Sequence, residues 1–416
     1  MNLLKTSFFS AISTLLKISS SFVANKIVAT YTGPSGIALI GQFTNLITIL
    51  STFANGAINS GVVKYTSEFN GNEIKLKSLF STSLKISIFC SISIGFILVC
   101  ASRYFSLWFL NTVDYKSIIR IFGIVIVLYS LNVLFLSILN GKQEIKKFTL
   151  INSISSIVGL ILTVFLVIYW SLYGALLSLV IIQSVVFFIT IIILLKTTWF
   201  RISYFKEPFD KLLFRKLFQY SLMSIITVLT VPIAQIFIRN YIINNLSLQQ
   251  AGYWQGLLRI SDGYLLIITT SLSTYYLPKL SSLKTKKDIR TEIIYGYKLL
   301  LPFVLISCIA IFILRFFIIK VLYTDSFQPM SKLFLFQLIG DFFKIASWIL
   351  AYIMVAKSMI KLYITTEIIF SISYSIFGIV LMHYFGIIGV TYAFALNYFL
   401  YLMVMLFAFK SILLKR

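Results

Sequence analysis

Twelve predominantly apolar windows run along this chain, each about 20 residues long, the length of helix that crosses a bilayer. Hydrocarbon offers the backbone no water to bond, so such windows must become helices or a closed barrel. Continuous apolar runs, as against strict alternation, select helices. The windows cover 8–31, 37–57, 79–101, 117–140, 148–170 and 172–195, then 217–243, 251–277, 293–316, 331–355, 362–382 and 386–409. The expected fold class is therefore all-α and polytopic, with twelve transmembrane helices. The second window carries Gln42, Thr44, Asn45, Thr48 and Asn55, so one of its faces is expected to be wet.

Composition agrees: 59% of the 416 residues are hydrophobic, more than a soluble core needs. Lys and Arg number 36 against 12 Asp and Glu, a net charge of +24. Such a balance in a soluble chain would point to nucleic acid. Here the basic residues mostly occupy short links between windows, where they set topology, and no nucleic-acid partner is expected. Cys90, Cys100 and Cys308 lie in apolar runs without metal-ligand spacing, and a lone His383 cannot build a zinc site. The first window is interrupted by Lys17 and followed by no clear small-residue cleavage site, so it is expected to remain as a membrane helix.

Loop charge orients the helices. With the N-terminus in the cytoplasm, the termini and the even-to-odd links hold 23 basic residues, whereas the opposite side holds Arg103, Lys116, Arg120, Arg315, Lys320 and Lys332. The positive-inside rule thus predicts both termini in the cytoplasm. Loops on the opposite side are short, so any activity must lie in the membrane or at its faces.

The chain also repeats itself. RYFSLWFLNTVDYKSIIRIF from Arg103 matches RFFIIKVLYTDSFQPMSKLF from Arg315. Lys142, Lys146 and Gly174 recur as Lys357, Lys361 and Gly389 at a spacing of 215, and Lys85 recurs as Lys298 at 213. Two six-helix lobes follow, residues 1–200 and 217–416, joined by a cytoplasmic linker at 201–216. Six is even, so both lobes enter from one side, with a pseudo-two-fold axis along the membrane normal.

Seven basic residues (Lys17, Lys26, Lys85, Arg239, Arg259, Lys298, Lys344) and three acidic ones (Asp262, Asp341, Glu367) fall inside the windows. Each charge costs roughly 2.5–3.5 kcal/mol on insertion scales and belongs against protein or in a wet cavity. Lys26 and Arg239 stand near window ends, where snorkelling to the interface is the plainer reading, and Lys85 and Lys298 lie about two turns in. Arg259–Asp262 and Asp341–Lys344 have the i, i+3 spacing of same-helix ion pairs, which would neutralise themselves. The excess is still cationic, and phosphate is the anion that Lys and Arg hold best. The carboxylates have a second use, as proton or sodium sites of an ion-coupled carrier, beside the plainer one of permanently ionised structural partners. Tyr253, Trp254, Tyr264, Tyr275 and Tyr276 cluster in the eighth window, where packing or an interfacial belt is the ordinary role. No P-loop, Ser-His-Asp set or HExxH motif is present, so ATP hydrolysis and nucleophilic catalysis have no centre.

Three stretches carry a family resemblance: TSFFSAISTLLKISSSFVANKIVATYTGPSGIALIGQFTNLITIL, AGYWQGLLRISDGYLLIITTSLSTYYLPKLS and FQLIGDFFKIASWILAYIMVAKSMIKLYITTEI. They resemble Wzx-type polysaccharide flippases, closest to the O-antigen and lipid III (enterobacterial common antigen) branch of the multidrug/oligosaccharidyl-lipid/polysaccharide (MOP) exporter superfamily. The resemblance runs through essentially the whole chain. It implies a MATE-like pair of lobes around a central cavity, and a transporter that is no enzyme. Its substrate would be an undecaprenyl-pyrophosphate-linked oligosaccharide, flipped between leaflets of the bacterial inner membrane. Membrane lipids and the polysaccharide polymerase and chain-length machinery are the partners it implies. It implies no cofactor beyond a coupling H+ or Na+. Lys17, Lys26, Arg239, Asp262, Asp341, Lys344 and Glu367 fall on charged positions of the family pattern. Arg259 stands outside that carry-over, and its role rests on the physical argument. The expected substrate-binding set is Lys17, Lys26, Arg239, Arg259 and Lys344, with Asp262, Asp341 and Glu367 as coupling or cavity carboxylates.

Two other readings compete. An ion-coupled multidrug exporter of the same superfamily would want an acidic and aromatic interior. A membrane polymerase or glycosyltransferase would want a substantial extramembrane loop carrying catalytic carboxylates.

Overall fold

A computed structural model describes residues 3–197, 199–357 and 359–413, with the side chains of 3–12, 220, 223, 274 and 278 left aside. The Lys5 side chain, Lys415 and Arg416, counted above among the terminal charges, lie outside the described residues. The described chain is helical apart from its links. The helices are α1 (Leu3–Ala54), α2 (Asn59–Glu68), α3 (Glu73–Cys100), α4 (Ser102–Leu110), α5 (Lys116–Gly141) and α6 (Ile145–Leu195). After a short 3-10 turn at Ile202–Phe205 come α7 (Lys211–Asn245), α8 (Leu248–Ser271), a π turn at Leu272–Tyr276 and α9 (Leu277–Ser282). The chain continues with α10 (Lys286–Ile313), α11 (Arg315–Leu322), a 3-10 segment at Asp325–Leu333, α12 (Phe334–Ala356), α13 (Ile360–Phe385), α14 (Ile388–Ala408) and α15 (Lys410–Leu413).

Nine helices among the described residues are long and apolar enough to cross a membrane. Two of them, α1 and α6, hold two of the expected spans each. The first is broken at Gly33, where φ is 62° and ψ −170° and where the next residue, Pro34, has no N–H to give. The second is broken at Ser171, with φ 47° and ψ −126°. The remaining expected span corresponds to α8, whose run contains Arg259 and Asp262.

The repeat seen in the letters recurs in the backbone. Ser171 turns α6 back on itself, and Gly386, 215 residues on, makes the turn between α13 and α14 with φ 60° and ψ −148°. Three residues after each turn stands a glycine. A Cβ on Gly174 would lie 1.9 Å from the Leu166 carbonyl oxygen, and one on Gly389 would lie 2.3 Å from that of Leu381. Both hairpins therefore close with backbone against backbone, eight residues back along the chain. Lys142 and Lys357 repeat as the C-cap residues of α5 and α12. Short α4 and α11 likewise follow the long α3 and α10.

The chain forms two compact units. One comprises residues up to Thr32 together with Leu39–Pro232, and the other Gly33–Ala38 together with Ile233 onward. In the first, Val62, Phe80, Leu134, Phe135, Ile138, Val186, Leu194 and Tyr204 build a core from α2, α3, α5, α6 and the α6–α7 link. In the second, Ala38 packs with Ile238, Ile242, Ala251, Trp254, Met382 and Val390, joining α7, α8, α13 and α14. In the first unit Trp199 Nε1 donates to Glu144, which also pairs with Lys147, and Lys77 Nζ lies 5.4 Å over the Tyr204 ring. The links 69–73, 141–145 and 196–210 thus share one end of that unit, and their lysines and arginines gather there.

Candidate functional site

Six of the eight expected site residues fall in the second unit. Arg239 comes from the last two turns of α7 and is 0% exposed. Its guanidinium lies 5.3 Å over the ring of Trp254, itself fully buried, and its Nη2 donates to Oε1 of Gln255. Arg259, more than a turn further along α8, is half-buried and within electrostatic reach of both Arg239 and Asp262. Tyr323 braces that stretch of α8, its hydroxyl donating to the Gly256 carbonyl at 2.9 Å.

Asp341, on α12, is also 0% exposed. Its carboxylate accepts from the Tyr264 hydroxyl of α8 at 2.8 Å and from Gln337 Nε2, one turn back, at 3.3 Å. A buried carboxylate must find donors, and here neutral groups from two helices supply them. Lys344, one turn onward, goes elsewhere. Its ammonium stands 5.0 Å from the centre of the Trp348 ring, 5.8 Å from Tyr398 and 6.0 Å from Phe394. Among the described residues no carboxylate comes within 4.0 Å of it. The same-helix Asp341–Lys344 ion pair allowed by their spacing is thus replaced by two separate arrangements. The reason is local: aromatic rings of α14 and Trp348 surround the lysine, while Tyr264 and Gln337 take the carboxylate oxygens.

Asp262 is exposed, and the charged groups acting on it are Lys344 and Arg259. Glu367, half-buried on α13, is within electrostatic reach of Tyr398 and Tyr401. The second unit therefore holds three cations (Arg239, Arg259, Lys344) and three carboxylates among the expected site residues. Two of those cations, Arg239 and Lys344, rest on rings, contacts worth about 0.5–2 kcal/mol, and of the two only Lys344 is open enough for a phosphate oxygen to outbid its rings by a charge-assisted hydrogen bond.

Lys17 and Lys26 belong to the first unit, both on α1. Lys17 is exposed and Lys26 half-buried. Of the other charges inside the windows, Lys85 is exposed and donates to the Glu207 carbonyl at 2.5 Å, and Lys298 is exposed on α10. No group of three or more metal-ligating side chains occurs among the described residues.

Sequence reasoning passed over Gln337 and Trp348, although each lies four residues from its partner on α12 and the spacing alone would have paired them. Tyr264, Phe394 and Tyr398 approach from other helices and leave no such mark in the sequence.

Residues 3–284 match a family described as polysaccharide biosynthesis protein. The lipid III flippase of Escherichia coli K12 is 32% identical over 407 residues, 96% of each chain, and that of Shigella flexneri matches equally. Among solved structures, an inward-facing multidrug-resistance MATE transporter of the MOP superfamily aligns with a TM-score of 0.77 at 14% identity, over 96% of this chain and 98% of that one. The lipid II flippase MurJ in an inward closed conformation gives 0.76 at 20% identity, over 98% of this chain and 87% of that one. These two likenesses show the fold, an all-α polytopic architecture of the MOP kind. With relatives named as flippases, the chain is a transporter and not an enzyme. The sequence match extends over more than half the residues, and the chain belongs to the polysaccharide biosynthesis protein family.

Proposed function

We propose that this protein flips an undecaprenyl-pyrophosphate-linked oligosaccharide, an O-antigen unit or similar, from the cytoplasmic to the periplasmic leaflet of a bacterial inner membrane. Its termini lie in the cytoplasm, and residues 1–200 and 217–416 act as two lobes joined by a linker at 201–216. The name of its 32%-identical relative, lipid III flippase, supports the substrate class. The single observation that carries the reading is Lys344: a half-buried residue whose ammonium is held by Trp348, Phe394 and Tyr398, with no carboxylate of the described residues within 4.0 Å. Asp262 and Asp341 act on this cation through their field and close no ion pair with it, so it remains available to an anionic headgroup.

In this reading Arg259 and Lys344 meet the pyrophosphate, and Lys17 and Lys26 add the charge that makes the whole set cationic. Arg239, sealed beneath Trp254, acts on the same anion by its field and by fixing Gln255. Asp262, Asp341 and Glu367 are the groups on which an H+ or Na+ would act. The lipid tail never leaves the bilayer, so only the head group needs a polar path. Rocking of one lobe against the other exchanges the side to which that path opens. Substrate shifts this equilibrium only so far as the two conformations hold it differently. Polymerase and chain-length proteins would receive the product.

A leaflet assay tests the proposal. The protein is reconstituted in vesicles with undecaprenyl-pyrophosphate glycans, with and without a proton or sodium gradient. Glycan reaching the opposite leaflet at unchanged length supports it. Movement of organic cations instead of the glycan would assign the chain to drug export.

A further inference from the structure

The link between α6 and α7 is bound down along α3. Ser81 Oγ donates to the carbonyls of Phe205 at 3.1 Å and Glu207 at 2.5 Å, and Lys85 Nζ reaches the same Glu207 carbonyl at 2.5 Å. Ser78 Oγ donates to Asp210 Oδ2 at 3.1 Å, and the Asp210 N–H donates to Thr82 Oγ at 3.1 Å. The other oxygen of Asp210 accepts from the N–H groups of Leu212 and Leu213 at 2.8 and 3.1 Å, capping α7. Tyr204 and Phe205 pack on Phe80 with ring centres 6.1 and 6.0 Å apart. A stretch expected to be a simple connector is a fixed strap.

Its outer face combines two kinds of side chain. Arg201, Lys206, Lys211, Arg215 and Lys216 are all exposed. Interleaved with them are Ile202, 70% exposed, Leu212, 76% exposed, and Phe209. Against these five cations stand two acidic residues, Asp210, whose carboxylate caps α7, and Glu207, which is half-buried. Apolar tips held rigidly in water would be a standing cost. At the level of lipid headgroups they enter the acyl boundary while the cations meet phosphate, the arrangement of interfacial membrane segments.

We infer that this strap is a docking surface for anionic phospholipid, with Arg201, Lys206, Lys211, Arg215 and Lys216 on the headgroups and Ile202, Phe209 and Leu212 among the upper acyl carbons. Charge complementarity selects the acidic lipid, and the pinning by α3 keeps the surface in shape whether or not substrate is bound. The site is separate from the charged interior of the second unit and does not depend on what is transported.

The test uses the full chain with Cys90, Cys100 and Cys308 replaced by Ala and a fluorophore placed through Ser203→Cys, in phosphatidylcholine vesicles. Equal fractions of nitroxide-labelled phosphatidylglycerol or nitroxide-labelled phosphatidylcholine are added as quenchers. The acidic lipid is expected to quench more strongly, with the preference falling about fivefold per charge removed. Lys206→Gln/Lys211→Gln/Arg215→Gln should therefore abolish it. Added salt should do the same with the native charges in place, by screening. Ile202→Ser/Leu212→Ser should weaken quenching by both lipids. Equal quenching by the two lipids overturns the inference, as does a preference untouched by salt and by the charge variant. Quenching by neither lipid would place the strap in water or under a protein partner, and also overturns it.

Discussion

Gly252 lies flat against Pro34: a Cβ on Gly252 would fall 1.9 Å from the Pro34 carbonyl oxygen. The contact seats the start of α8 on the break in α1, beside Ala38 and Trp254 in the core of the second unit. Backbone cannot step aside as a side-chain tip can. Gly252→Ala is expected to cost about 1–3 kcal/mol by overpacking, read as a lowered thermal unfolding midpoint in detergent. Gly159→Ala is the control. There the nearest atoms are Ile182 carbons at 3.6 Å, ordinary contact, so better helix propensity should leave the midpoint level or raised.

The paired turns at Ser171 and Gly386 predict opposite responses. Ser171 holds a positive φ that costs a non-glycine residue about 1–3 kcal/mol. Its hydroxyl donates to the Tyr31 carbonyl at 3.2 Å, a bond that Ser171→Gly gives up at about 1 kcal/mol. Ser171→Gly should therefore leave the midpoint level or raise it, while Gly386→Ala should lower it. A fall in both variants would mean that the two hairpins are held by different means.

Asp341 and Tyr264 form a cross-helix pair whose strength a double-mutant cycle can read. Asp341→Leu leaves the Tyr264 hydroxyl only the weak Cys308 sulfur contact at 3.6 Å and should cost about 1–3 kcal/mol beyond the change in packing. Adding Tyr264→Phe should recover part of that loss, a coupling of about 0.5–3 kcal/mol. Chemical denaturation of the four proteins measures it. Additive losses would show that the 2.8 Å contact contributes nothing to stability.

Much of this architecture was legible in the letters because membrane helices announce themselves by length and apolarity. The gap between the windows 8–31 and 37–57 contains the break at Gly33, and the 215-residue offset of Gly174 and Gly389 anticipated the matching hairpins. Side-chain destinations were far less legible. Asp341 and Lys344 are spaced as an ion pair, yet Tyr264 takes the carboxylate and a ring from α14 lies beside the ammonium. Such choices depend on which residues neighbouring helices bring alongside, which spacing within one helix does not encode. Arg239 stood near a window end and was open to snorkelling, but the structure seals it under Trp254. Lys85 looked like a membrane charge in search of a partner, and its partner is a backbone carbonyl more than a hundred residues away.

The most direct test concerns Lys344, whose ammonium sits 5.0 Å from the Trp348 ring. Lys344→Met keeps the length of the side chain among those rings and removes the charge. In reconstituted vesicles supplied with an undecaprenyl-pyrophosphate glycan, it is expected to slow transfer to the opposite leaflet by about tenfold or more, the equivalent of one lost charge-assisted contact. Arg259→Met should add to the defect, and the unfolding midpoint should stay within a few degrees of the parent. Transfer at the parental rate by the correctly folded double variant would contradict a headgroup site at Lys344 and Arg259.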